Sequence, residues 1–288
     1  MKKAFLKKTG VVLLSAAAAI SLLAGCGSSG SSSKSGAKVI KVATGQANAP
    51  YFYADDDGKP AGYDVDVLKA IDEKLDDYDF DIQNMDFSTC IVSLDSGAVD
   101  MVSHELVKSE EREKKYIFPD KSYCMTPLSL CVKKDSGITN MADMAGKSIH
   151  IDPTCFEYTA LTDYNESHPD ATVNLITTAD VTAADEYKGV STGSWDACLA
   201  YNLIYKDTID KIGITDTTLT DTVLVEQMYQ MIRPELTDFR DAFSKALDEI
   251  IEDGTLSKLN EQWFGEDYYS ELASKTSYDL SVTQDVAK

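Results

Sequence analysis

The residues best suited to covalent or metal chemistry do not fall into working sets along this chain. Besides Cys26 there are five cysteines, at 90, 124, 131, 155 and 198. Five is odd and no Cys-x-x-Cys pair occurs, so neither a disulfide framework nor a zinc site is indicated. Buried free thiols are the expectation, with a pair such as Cys155 and Cys198 left open. The three histidines, at 104, 150 and 168, are not at metal-ligand spacing. No Gly-x-Ser-x-Gly elbow is present, and isolated carboxylates are too common to mark catalysis. A chain with no catalytic residue, no metal and no cofactor is therefore expected. With 27 basic against 48 acidic residues and a net charge of −21, nucleic acid is an unsuitable partner, because phosphate binding needs a basic surface. The acidity is read as a solubility device.

Cys26 has a different context. Lys2, Lys3, Lys7 and Lys8 precede an apolar stretch from Val11 to Leu23, and Leu23-Ala24-Gly25-Cys26 follows. The apolar stretch has the length of a signal-peptide core and is short for a membrane span of about 20 residues. The alternative is a retained membrane helix. Leu, two small residues and Cys resemble the lipobox of bacterial lipoproteins, which implies cleavage of residues 1–25 and lipidation of Cys26. Residues 26–37, almost all Gly and Ser, read as a flexible tether. Residues 271–288 read as a polar, poorly ordered tail.

Between tether and tail, strand and helix patterns alternate. Val39 to Ala43 is a β-type run. Asp64 suits a helix N-cap ahead of Val67, Leu68, Ile71 and Leu75 at helical spacing. Phe80 and Ile82 share one face of a strand over 79–84. Ser88 suits a cap for a helix that Gly97 ends, and a strand is expected over 99–103. A second series has strands over 147–151, 173–176 and 195–200, with helices over 156–164 and 180–190 between them. Phe239, Phe243, Ala246, Leu247 and Ile250 share a helical face, with Gly254 as its C-cap. Such alternation predicts α/β architecture with largely parallel sheets, and two series predict two lobes.

Several motifs in order then carry a resemblance: Ala49-Pro50-Tyr51, Gly62-Tyr63-Asp64-Val65-Asp66-Val67, Ser96-Gly97-Ala98-Val99-Asp100 and Glu110-Glu111-Arg112 leading to Tyr116-Ile117-Phe118. Gly146-Lys147-Ser148-Ile149, Gly193-Ser194-Trp195-Asp196-Ala197 and Asp253-Gly254-Thr255-Leu256 to Trp263-Phe264-Gly265 complete it. From about Val39 to Gly265 the chain resembles the polar-amino-acid solute-binding proteins of ABC importers, with the type II periplasmic-binding-protein fold. The resemblance implies two α/β lobes joined by two hinge strands, with the ligand cleft between them. Lobe 1 would comprise 38–129 and 228–270, lobe 2 would comprise 130–227, and the crossings would fall near 125–132 and 223–231. It also implies an extracytoplasmic monomer held to the membrane by lipid, which captures a polar amino acid, cystine-like or other, and delivers it to an ABC permease.

The same resemblance assigns candidate ligand-binding residues. Arg112 matches the arginine that grips the ligand α-carboxylate, a task suited to a guanidinium fork with two parallel donors. Phe87 and Tyr51 match aromatic walls, and Asn48 another ligand-facing position. His104 and Glu105 depart from the commoner small or hydroxylated residues, and the stretch Ser103 to Lys108 resembles the cystine-binding branch. Thr154, Cys155 and Phe156 stand where the family has a loop that offers N–H groups and a hydroxyl at a helix start, which favours an anion. Tyr201 stands where the common pattern has an Asp for the ligand ammonium, so another acid, or the hydroxyl and backbone carbonyls, would have to serve. The rival functions are an enzyme on the same fold, dehydratase-like, and a ligand sensor.

Overall fold

Ile40, Val42, Ala43 and Thr44 are all buried in the first strand, β1 (Lys38–Thr44), as expected of a strand covered on both faces. The computed structural model describes residues 34, 36–179, 181–274 and 280. The leader, Cys26, most of the tether and most of the tail lie outside them. A small antiparallel sheet of β2 (Ala47–Asn48), β3 (Phe52–Ala54) and β4 (Pro60–Ala61) follows β1. Next come α1 (Tyr63–Asp72), β5 (Tyr78–Asn84), α2 (Phe87–Ser96), β6 (Met101–Val107), α3 (Glu110–Glu113) and β7 (Cys124–Lys133). The second series is β8 (Ser148–Ile151), α4 (Phe156–Ser167), β9 (Asn174–Thr177), α5 (Ala183–Thr192), β10 (Ala197–Tyr201) and α6 (Asn202–Ile212). The long β11 (Thr217–Ile232) leads back to α7 (Thr237–Glu252), α8 (Thr255–Phe264) and α9 (Tyr268–Ala273).

The large sheet has the order β5-β1-β6-β11-β7-β10-β8-β9. β5, β1 and β6 are parallel to one another, as are β10, β8 and β9. Between these halves, β11 and β7 pair antiparallel with each other and with their outer neighbours. Helices cover both faces of each half. In the first, α1, α7 and α8 bury Leu68, Ile71, Phe239, Phe243, Leu247 and Leu256 against Ile40 and Val42, while Cys90 and Leu94 of α2 pack with Val102 and Met231. In the second, Ala160, Leu161 and Tyr164 of α4 pack on Leu130, Ile149 and Leu199. Tyr187, Val190 and Tyr205 cover Cys131 and Cys198 on the other face. Among the described residues no helix is long and apolar enough to cross a membrane.

Several caps and boundaries differ from expectation. Gly62, not Asp64, precedes the first turn of α1, at φ 116°. A Cβ there would meet the Tyr51 carbonyl oxygen at 2.4 Å, so both conformation and space require glycine. Asp64 is fully buried inside the helix and accepts hydrogen bonds from Ser103 Oγ (3.0 Å) and Tyr123 OH (2.6 Å). Asp86 caps α2 by accepting from Thr89 N–H, and Ser88 donates to that same carboxylate. The strand expected over 99–103 begins at Met101 and runs to Val107, which brings His104 and Glu105 into it. Thr182 caps α5, and Asp253 ends α7 with Gly254 beyond it in the left-handed region. The tail is not wholly loose: α9 continues to Ala273 with Leu272 buried, and Leu280 is buried in the second half, donating its N–H to the Val223 carbonyl.

Candidate functional site

The sequence puts Glu110-Glu111-Arg112 just after β6, where Ser109 caps a single helical turn and accepts from Arg112 N–H. This turn aims the guanidinium into a cavity of about 830 Å³. Its walls include Phe87, Glu105 and Arg112 from the first half of the sheet and Thr154, Cys155 and Phe156 from the second. Arg112 Nη1 donates to the Val107 carbonyl at 2.6 Å, and among the described residues no carboxylate lies within ion-pair distance of it. Burial lowers its pKa from the ordinary value. A half-buried guanidinium with donors to spare and no acid partner is a ready receptor for an anion.

Opposite, Asp152-Pro153-Thr154-Cys155 turns the chain into α4. The Thr154 N–H and hydroxyl both donate to Asp152 Oδ1, at 2.8 and 2.7 Å, and the Cys155 thiol donates to the Asp152 carbonyl. The loop thus satisfies its own hydroxyl, where the resemblance had it serve the ligand. No side chain caps α4, however, and its N-terminal end lies at the Cys155–Phe156 wall of the cavity, where the helix dipole favours negative charge.

A neighbouring cavity of about 630 Å³ shares Phe87 and Glu105 with the first and is lined also by Asn48, Phe52 and His104. The His104 ring packs between Phe52 and Phe87, with centroids 4.3 and 4.9 Å away, and burial lowers its pKa. Its imidazole is therefore an aromatic wall in which burial disfavours the charged form. Glu105 is the one non-glycine among the described residues with positive φ, 49°. Its carboxylate accepts from Asn48 Nδ2, and its N–H donates to Tyr123 OH, which in turn donates to Asp64. Burial first, and then Asp64 and Glu226 nearby, raise the Glu105 carboxyl to about 8. Such backbone strain at a cleft residue persists only where its surroundings hold it.

Tyr51 and Tyr201 line neither cavity. The Tyr51 ring is buried against Phe264, with its hydroxyl 3.4 Å from Thr126 Oγ1. The Tyr201 hydroxyl lies 2.8 Å from Glu157 Oε1 and 3.2 Å from Glu226 Oε1. The sequence leaves open which acid replaces the missing Asp, and singles out neither glutamate. The signal available was position: Glu157 is two residues into α4, and Glu226 lies within the second crossing strand. Burial, then repulsion from Glu157, raises the Glu226 carboxyl to about 8. One hydroxyl has a single proton to give, so it cannot satisfy two carboxylates at once. Protonation of Glu226 resolves that conflict. A ligand cation would resolve it equally well.

Residues 40–266 match the family model described as bacterial extracellular solute-binding proteins, family 3. The L-cystine-binding protein TcyJ of Bacillus subtilis is 29% identical over 95% of this chain and 99% of its own length. TcyK of the same species, also an L-cystine-binding protein, is 30% identical over 88% of this chain and 94% of its own. Among solved structures, the probable amino-acid ABC transporter extracellular-binding protein YtmK of B. subtilis superposes with a TM-score of 0.65 at 29% identity, covering 81% of this chain and all of that one. The two sheet halves are the lobes of a type II periplasmic binding protein. With a match across nearly the whole folded region, the chain belongs to the bacterial extracellular solute-binding proteins, family 3.

Proposed function

We propose that this protein is a lipid-anchored receptor for a polar amino acid, cystine or a molecule much like it, and that it hands this ligand to an ABC permease. The observation that carries the ligand class is the polarity of the cleft. At one end stands Arg112, without an acid partner among the described residues, facing the uncapped start of α4. Glu105 lines the same cleft, and close to it the buried Glu157 and Glu226 share the single Tyr201 hydroxyl. Carboxylate and ammonium groups on one small molecule fit that polarity, with Phe87 and His104 against its apolar part. In this reading 38–129 with 228–270 forms one lobe and 130–227 the other, closing about β7 and β11. Residues 1–25 are a leader, Cys26 is the lipidated residue and 26–37 is the tether.

Amino acids with close relatives named for cystine and arginine binding define the screen. Calorimetry with cystine, arginine, and their decarboxylated and deaminated analogues tests the proposal. One molecule should bind per chain and be recovered unchanged, and loss of either the carboxylate or the ammonium should weaken binding at least tenfold. Equal binding of the analogues would overturn the assignment, and turnover would favour the enzyme alternative.

A further inference from the structure

Cys131 of β7 and Cys198 of β10 are directly opposite each other in the antiparallel ladder. Both are fully buried, and both belong to the same side of the sheet, in the cluster with Tyr187, Val190 and Tyr205. Their flanking pairs, Val132 with Ala197 and Leu130 with Leu199, keep the register on either side. Residues directly opposite in an antiparallel pair have Cα atoms about 4.5–5.5 Å apart. A disulfide needs about 4.4–6.8 Å. Both cysteines are free in this structure, as are Cys90, Cys124 and Cys155.

We propose that Cys131 and Cys198 form a cross-strand disulfide as the exported chain folds. Proteins outside the cytoplasm meet oxidising conditions, and the co-reactant is a disulfide, either a small-molecule one or that of a thiol–disulfide oxidoreductase. One cysteine, as thiolate, attacks a sulfur of that disulfide, expels one thiol and is left in a mixed disulfide. The second then attacks the sulfur of the first and expels the other thiol. Two protein thiols are oxidised, one external disulfide is reduced, and the two protons leave on the two released thiols.

Burial sets the timing. Once β10 is paired with β7 beneath α5 and α6, neither sulfur is open to attack, and burial holds the Cys198 thiol protonated. Exchange therefore belongs to folding, before those helices settle. The bond would fasten the first crossing strand to the central strand of the second lobe.

The test refolds the full chain from a reduced, denatured state in a glutathione redox buffer, with a parallel sample kept reduced. Thiols are then alkylated in denaturant and the peptides mapped by mass spectrometry. The expected result is a peptide pair joined through Cys131 and Cys198, with the other cysteines alkylated, and a Tm about 5–15 °C above that of the reduced sample. In Cys198→Ala the joined peptide should vanish, Cys131 should become alkylated or carry glutathione, and Tm should no longer depend on redox state. Complete alkylation of both cysteines in the oxidised wild-type sample, or their linkage to other cysteines, would overturn the proposal.

Discussion

Arg112 and the carboxylates around Tyr201 make opposite demands on a ligand, and each can be tested alone. Arg112→Ala should leave the fold intact, because among the described residues the guanidinium bonds only the Val107 carbonyl. Removing one partner of a buried charge pair costs about 2–5 kcal/mol, so calorimetry should find affinity for the ligand reduced roughly 30-fold to several-thousand-fold. Arg112→Lys should recover only part, since an ammonium lacks the fork. Binding within about threefold of wild type in the Ala variant would remove Arg112 from the site. The carboxylates predict a pH dependence. Burial, as the largest cause in each, raises Glu105 and Glu226 from 4.5 to about 8 and Asp64 from 3.8 to about 7. Across that interval these acids are ionised in the unfolded chain but still protonated in the folded one, so the folded state binds more protons. Stability of the empty protein should therefore be fullest at the acid end and fall as pH rises towards about 8. Glu226→Gln should flatten that fall, read as urea midpoints at about pH 5 and about pH 8.5. An unchanged fall in the variant would show that Glu226 does not carry the effect.

At the scale of the element, sequence was most legible where one face repeats. The spacing of Phe239, Phe243, Ala246, Leu247 and Ile250 defined α7, and all five are buried. Strands of the parallel halves agree with the sequence reading to within one to two residues at most ends, because each is a short run bounded by turn or helix signals. The caps were less legible, since several polar residues cluster at each helix start and only geometry shows which of them bonds backwards. Asp86 and Ser88 illustrate this, for the residue outside the helix accepts the Thr89 N–H while the one inside donates to it. Asp64 looks like a cap in sequence for a deeper reason: a buried acid held by Tyr123 and Ser103 depends on contacts far along the chain. Glu157 and Glu226 were illegible in the same way, as α4 and β11 meet only through tertiary structure. Gly62 is the element-scale feature most open to test. Gly62→Ala combines a left-handed φ with a clash against backbone, and should lower the free energy of unfolding by at least the roughly 1–3 kcal/mol of a strained backbone position. Gly146→Ala, whose added Cβ meets nothing within 4 Å, should cost less in the same urea titration. Equal costs would mean that the Tyr51 backbone yields.

For the whole molecule, attachment and folding order matter more than any single contact. The lipidation proposed at Cys26 predicts that Cys26→Ser either leaves the membrane fraction or persists as an uncleaved precursor. Metabolic labelling with a fatty acid should mark the wild-type chain alone, and label in the variant would refute the assignment. The arrangement of the first lobe has another outcome. Ile40, Leu68 and Ile71 find their cover in Phe239, Phe243, Leu247 and Leu256, residues from the opposite end of the chain. Until α7 and α8 have been made, that face of β1 and α1 has nothing to bury itself against. The N-terminal portion should therefore not reach its final form until those helices exist, which would suit a chain threaded through an export pore. A chain ending after Ile232 should accordingly stay protease-sensitive over 38–129 while the full chain resists. Protection of that region in the shortened chain would mean that the lobe matures without its C-terminal helices, and that passage must precede synthesis of the rest.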